Sequence, residues 1–114
     1  MVPFPPSTNR LWRSVNGRNI KSAEYRTWES TAVAEAYYAS ADKKRVPGSY
    51  KLLVEAQRPD RRRRDLGNLE KPLSDILVTL NMVDDDCLAE EITLRWVKDE
   101  MGGRVRLTIT PVEV

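Results

Sequence analysis

The chain has 114 residues, 40% hydrophobic and 32% charged, with a net charge of +2, a single cysteine and no histidine. That length suits one domain, 1–114, with a small core that a partner subunit would help to stabilise. The missing histidine excludes Ser-His-Asp and Cys-His catalysis and the His-metal nucleases, and the lone Cys87 excludes an internal disulfide and a cysteine-built zinc site. Cys87 reads as a small, partly buried side chain. No apolar window approaches a membrane span and no secretory signal opens the chain. A soluble, cytoplasmic protein without a membrane partner is expected.

Val2-Pro3-Phe4-Pro5-Pro6 is short and proline-rich. Proline cannot donate to a sheet ladder, so this is at most a short edge strand running into a loop. Residues 7–21 alternate turn formers with cations and read as a long loop or a loose hairpin. Ser22 is a good N-cap for a helix over 23–41, with Tyr25, Trp28, Ala32, Ala36 and Ala39 along one face. Core packing is expected of the tryptophans and tyrosines in this first third, rather than base stacking.

Tyr50, Leu52 and Val54 alternate with Lys51, Leu53 and Glu55, which predicts a strand over 50–57. A charged loop, 58–65, follows. Leu69, Leu73, Ile76, Leu77 and Leu80 then predict a helix over 68–81, with Pro72 confined to about its first turn. Alternation predicts strands over 90–98 and 105–110, and Gly102-Gly103 between them suits a tight hairpin. The element order is strand, helix, strand, helix, strand, strand.

Charge is unevenly spread. Residues 1–64 carry 14 Lys/Arg against 6 Asp/Glu, and residues 65–114 carry 5 against 11. A basic half beside an acidic half suits a protein that grips phosphates and concentrates carboxylates at one site. A mixed surface or a salt-bridged dimer would carry the same charges. The informative third is 58–91. Arg61, Arg62, Arg63 and Arg64 stop at Asp65, Lys71 follows early in the helix, and Asp84, Asp85 and Asp86 come after it. Phosphodiester hydrolysis needs stabilised phosphoryl charge and an activated water. Mg²⁺ supplies both, and prefers one or two carboxylates plus waters and phosphate oxygens. The plainer reading makes the arginines a solvated face and the aspartates a turn or cap. A small RNA-associated domain would explain the arginines, but not Asp65, Lys71 and the aspartate run together.

The stretch Arg61-Arg62-Arg63-Arg64-Asp65-Leu66-Gly67-Asn68-Leu69-Glu70-Lys71 closely resembles the signature of the RusA-type Holliday junction resolvases, R-x-D-x-D-N-L-x-K, with a helix and an aspartate pair downstream. The pair aligns best with Asp85-Asp86. Phe4-Pro5-Pro6-Ser7-Thr8-Asn9-Arg10 is similar to the family's opening segment, and Gly102–Thr110 to its closing hairpin.

The resemblance implies an α/β fold of the α+β kind: a small mixed or antiparallel four-stranded sheet with two main helices, in a homodimer. It implies binding to branched DNA, namely four-way junctions, and Mg²⁺-dependent nicking, with Mn²⁺ as a possible substitute. By position, Asp65 and Asp86 become metal-binding and catalytic carboxylates, Asp85 a supporting ligand, and Lys71 the catalytic lysine that stabilises charge. Phosphate contacts are expected from Arg61, Arg62, Arg63 and Arg64, with Arg10, Arg13, Arg18 and Lys21 as a second cluster.

One position departs from the family pattern: Gly67 stands where a second aspartate is expected. Asp84, Asp85 or Glu70 compensates, or the chain binds junctions and cuts them weakly or not at all, or the glycine is an introduced change. Impaired or conditional cleavage is the expectation. Asp65 and Asp86 also lie on either side of a helix about 20 Å long. They share a metal if the connecting segment folds back, or if Asp86 comes from the other subunit.

Overall fold

The computed structural model describes residues 2–6, 12–15, 18–39 and 45–112, with the side chains of 12–15, 18–21, 39, 99 and 100 outside the description. The elements are β1 (Val2–Pro3), β2 (Trp12–Val15), β3 (Arg18–Lys21), α1 (Ala23–Ala39), β4 (Tyr50–Arg58), α2 (Glu70–Thr79), β5 (Ala89–Met101) and β6 (Arg104–Pro111). Short 3₁₀ turns at Leu66–Leu69 and Asp86–Leu88 bracket α2 and its return loop.

The main sheet has the order β1-β6-β4-β5 and is mixed, with β4 parallel to β5 and antiparallel to β6. A parallel pair needs a crossover, and the segment containing α2 supplies it. Tyr50, Leu52, Val54 and Ala56 line one buried face of β4, as the alternation predicts. Tyr25, Trp28 and Ala32 of α1 and Leu73, Ile76 and Leu77 of α2 belong to the same buried cluster. Charged pairs cross the strands elsewhere on the sheet, Lys51 to Glu91 at 3.4 Å and Arg95 to Glu55 at 2.8 Å. The result is an α+β arrangement of one four-stranded sheet and two helices, with a two-stranded sheet beside them in the chain.

Several expectations change. The 12–21 region, open between loop and hairpin, forms an antiparallel hairpin, β2–β3, which is a separate two-stranded sheet. Gly102-Gly103 does not close a tight hairpin, because β4 lies between β5 and β6. The turn passes over the end of β4, where the Gly102 N–H donates to the Arg58 carbonyl at 3.2 Å. Gly103 takes a left-handed φ of 62°, which glycine adopts without steric cost.

α2 begins at Glu70, two residues later than the periodicity suggests. Pro72 is then its third residue, where the absent N–H has no helical partner to lose. Ser22 caps α1 as expected, its Oγ accepting from the Tyr25 N–H at 3.1 Å. Trp28 is buried, with Nε1 donating to the Pro3 carbonyl at 2.9 Å. Tyr37 and Tyr38 break the core expectation, since they stand exposed at 65% and 78%. They fall outside the three- and four-residue spacing that carries Tyr25, Trp28 and Ala32 inward.

Candidate active site

The end of α2 determines where the aspartates go. Asn81 adopts a left-handed φ of 58°. The Met82 N–H donates to the Leu77 carbonyl at 3.0 Å and the Asn81 N–H to the Val78 carbonyl at 2.9 Å. This paired pattern satisfies the last helical carbonyls and turns the chain sharply, with asparagine tolerated where glycine is usual. The ten residues of α2 rise about 15 Å, and five extended residues reach about 17 Å. Met82–Asp86 can therefore return the chain to the start of α2, and it does. Lys71 Nζ lies 3.2 Å from Asp86 Oδ2. The connecting segment thus folds back within the chain, which brings Asp86 to Lys71.

The three aspartates have separate roles. Asp84 pairs with Arg45 and accepts from the Gly48 N–H at 3.2 Å, pinning the loop before β4. Asp85 caps the second 3₁₀ turn by accepting from the Cys87 N–H at 3.0 Å, and that bond holds its carboxyl below the usual range. Asp86 alone of the three reaches Lys71. Cys87 is exposed rather than partly buried, because it sits on this short turn outside the core.

Lys71 has a second partner on its own helix. Asp75, one turn on, lies 3.0 Å from its ammonium. Hydrogen bonds that Lys71 donates to Asp75 first and Asp86 second raise its pKa, so it remains a cation. The hydroxyl of buried Tyr50 has no hydrogen-bond partner among the described residues. Burial first, then the charges of Asp86 and Glu70, push its pKa up. The Glu70 carboxylate accepts from Ser74 Oγ at 2.7 Å. Nearby in the core, burial raises the Tyr25 phenol to about 12, with the charge of Asp75 the next cause.

The second part of the site is the 58–65 loop. Asp60 organises it, accepting from the Arg62 N–H at 3.0 Å and from Arg64 at 2.8 Å. The Arg64 guanidinium first, and the Arg62 amide second, hold the Asp60 carboxyl below its ordinary range. Arg62 also lies 3.5 Å from Asp60. Arg61 and Arg63 have no acidic partner among the described residues, and the Asp65 carboxylate has no hydrogen bond or ion pair there. Asp65 lines an open groove of about 400 Å³ with Arg58, Arg63, Arg64 and Trp96.

The structure thus brings Lys71 and Asp86 together and places Asp65 among arginines, with no bond joining Asp65 to that pair. Among the described residues, no three acidic, cysteine or histidine side chains gather as a ready metal site. Gly67 is exposed, its φ is not left-handed, and an added Cβ would meet nothing within 4 Å. The backbone does not require glycine there. Arg10 lies outside the described residues, and Arg13, Arg18 and Lys21 lie on the β2–β3 hairpin without described side chains. Arg58, Trp96 and Asp75 were not read as site residues. For Asp75 the four-residue spacing from Lys71 was an available signal.

The family model described as Endodeoxyribonuclease RusA matches residues 3–110, and the chain belongs to that family. Its relatives include the crossover junction endodeoxyribonuclease RusA of Escherichia coli K12, 38% identical over 111 residues, and that of Enterobacteria phage 82, 39% identical over 111 residues. The protein of that name from Shigella sonnei is also 38% identical. Each match covers 96% of this chain and 90% of the relative.

Proposed function

We propose that this chain binds four-way DNA junctions as a homodimer and resolves them by Mg²⁺-dependent phosphodiester hydrolysis, with cleavage weakened by Gly67. Mn²⁺ would substitute for Mg²⁺. The work would take place in the cytoplasm of a bacterial or phage-infected cell; among the described residues no helix is long and apolar enough to cross a membrane.

The observation that carries this reading is the return of Asp86 to Lys71 at the start of α2, the helix that Asp65 precedes. It assembles a carboxylate and a permanent cation from residues fifteen apart. A lysine held charged suits stabilisation of a phosphate or leaving oxygen, not proton abstraction.

The donors suit a hard cation in kind. Among the described residues, Asp65 offers an exposed carboxylate without a bond, and the Tyr50 hydroxyl, without a hydrogen-bond partner there, lies within the electrostatic reach of Asp86 and Glu70. Asp65 and Asp86 would hold the ion, with Asp85 in support, and the ion would supply phosphoryl charge stabilisation and an activated water. Arg61 to Arg64 would hold the phosphate backbone, with Arg10, Arg13, Arg18 and Lys21 from the hairpin region. Support for a dimer comes from the small core and from the outer edge of the thirteen-residue β5, which pairs with no strand among the described residues. A two-fold dimer would match the two-fold symmetry of the junction.

A second reading keeps the scaffold and drops the chemistry: a branched-DNA-binding protein that cuts weakly or not at all. Gly67 favours it, since among the described residues no three acidic, cysteine or histidine side chains gather as a metal site. The deciding experiment compares a synthetic four-way junction with a linear duplex of the same arm sequence, in Mg²⁺ and in Mn²⁺. Paired nicks confined to the junction are expected. Equal cutting of the duplex would overturn junction selectivity, and tight junction binding without nicks in either ion would leave the binding role.

A further inference from the structure

Arg58 closes β4, and Trp96 stands on β5 opposite Ala56. The Arg58 guanidinium carbon lies 4.4 Å from the centroid of the Trp96 ring. Phe4, just beyond β1, stacks with the same indole at 5.9 Å, the planes 9° apart. Arg64 lies 5.3 Å from the Phe4 centroid. Two rings and two guanidinium planes thus form one half-buried row, and three of the four line the groove that holds Asp65.

We propose that this row is a stacking subsite for a nucleobase, one left unpaired where strands exchange at the junction. The proposal rests on the junction reading and adds to it how the nucleotide beside the candidate carboxylate is held. Phosphate binding would account for the cations, but it gains nothing from an indole on the same wall with a phenyl ring stacked on it. Bases stack on aromatic rings and on arginine planes, whatever their sequence. Arg58 has no acidic partner among the described residues. Held on an indole, it keeps its full charge and a flat face for a ligand.

The test pairs a protein change with a DNA change. An abasic residue is placed in turn at each nucleotide flanking the crossover, and affinity is measured for the unaltered chain, Trp96→Leu and Arg58→Gln. Leucine keeps apolar packing against Phe4, and Arg58→Gln is a partly exposed change that leaves the core intact. At one position the unaltered chain should bind the abasic junction about tenfold more weakly than the intact one, within the range for losing one base stack. Trp96→Leu should bind both junctions alike, and Arg58→Gln should narrow the difference.

The same penalty in all three proteins would overturn the subsite. So would an Arg58→Gln variant that loses salt dependence without any coupling to the abasic position, which would make Arg58 a phosphate contact. No preference of the unaltered chain for junction over duplex would overturn the junction reading itself, a separate and recognisable result.

Discussion

The corner at the start of α2 and the groove at the end of β4 hold their charges in opposite ways. At the corner every charge has a partner: Lys71 bridges Asp75 and Asp86, and Glu70 is bonded by Ser74. In the groove Arg58, Arg63 and the Asp65 carboxylate lack ion partners among the described residues. Paired charges hold a geometry, while unpaired ones are left to meet a ligand. The corner thus reads as the preset part of the site and the groove as the part completed by DNA and metal.

The sharpest way to break that contrast is to neutralise the carboxylates one at a time. Asp65→Asn and Asp86→Asn should each lower junction nicking by roughly 10²–10³, the usual cost of losing one charge-stabilising group. Asp65→Asn should leave thermal stability unchanged, because nothing among the described residues bonds that carboxylate. Thermal unfolding beside a gel-based nicking assay separates the two effects.

The arginines allow a finer division. Arg61→Gln with Arg63→Gln should reduce the slope of log affinity against log salt by about 2, since each phosphate contact contributes about 0.9. Arg62→Gln with Arg64→Gln should reduce it less, because both side chains lean on Asp60. Equal slopes for the two double variants would erase the distinction between tied and untied cations.

The corner makes a prediction in pH. The folded Lys71 pKa is raised above its unfolded value, so its ion pairs stabilise the fold below the unfolded pKa. That contribution fades as pH rises through the higher folded value. No limb of the nicking profile below about pH 10, the ordinary lysine pKa, should belong to Lys71. A Lys71→Arg variant should keep the profile's shape.

The smallest effect expected is at Tyr50. Removing an orphan hydroxyl by Tyr50→Phe should stabilise the fold by about 1 kcal/mol in chemical denaturation. A comparable loss would show that the hydroxyl has a partner.

Local patterns were legible in the sequence where one face of an element is buried. The β4 alternation, the Ser22 cap and the α2 stripe all needed nothing beyond their own period. What could not be read depended on neighbours distant in sequence. A Gly-Gly turn looks the same whether its strands pair or straddle a third, and β4 between β5 and β6 is a fact of sheet order. Likewise Asn81 gave no sign that its turn would carry Asp86 the length of α2. At the site, Asp65, Lys71 and Asp86 were found through the family pattern. Arg58 and Trp96 were not, because their contact exists only once β4 and β5 are in register.

The most direct measurement is junction nicking in Mg²⁺ by this chain beside its Gly67→Asp variant. The glycine position is open to a side chain and its φ is not left-handed, so the variant should fold as the parent does. A variant that nicks at least about tenfold faster, at unchanged junction affinity, is predicted if a carboxylate is what the site lacks. Equal rates for the two proteins would contradict it, and would mean that Asp65 and Asp86 already suffice.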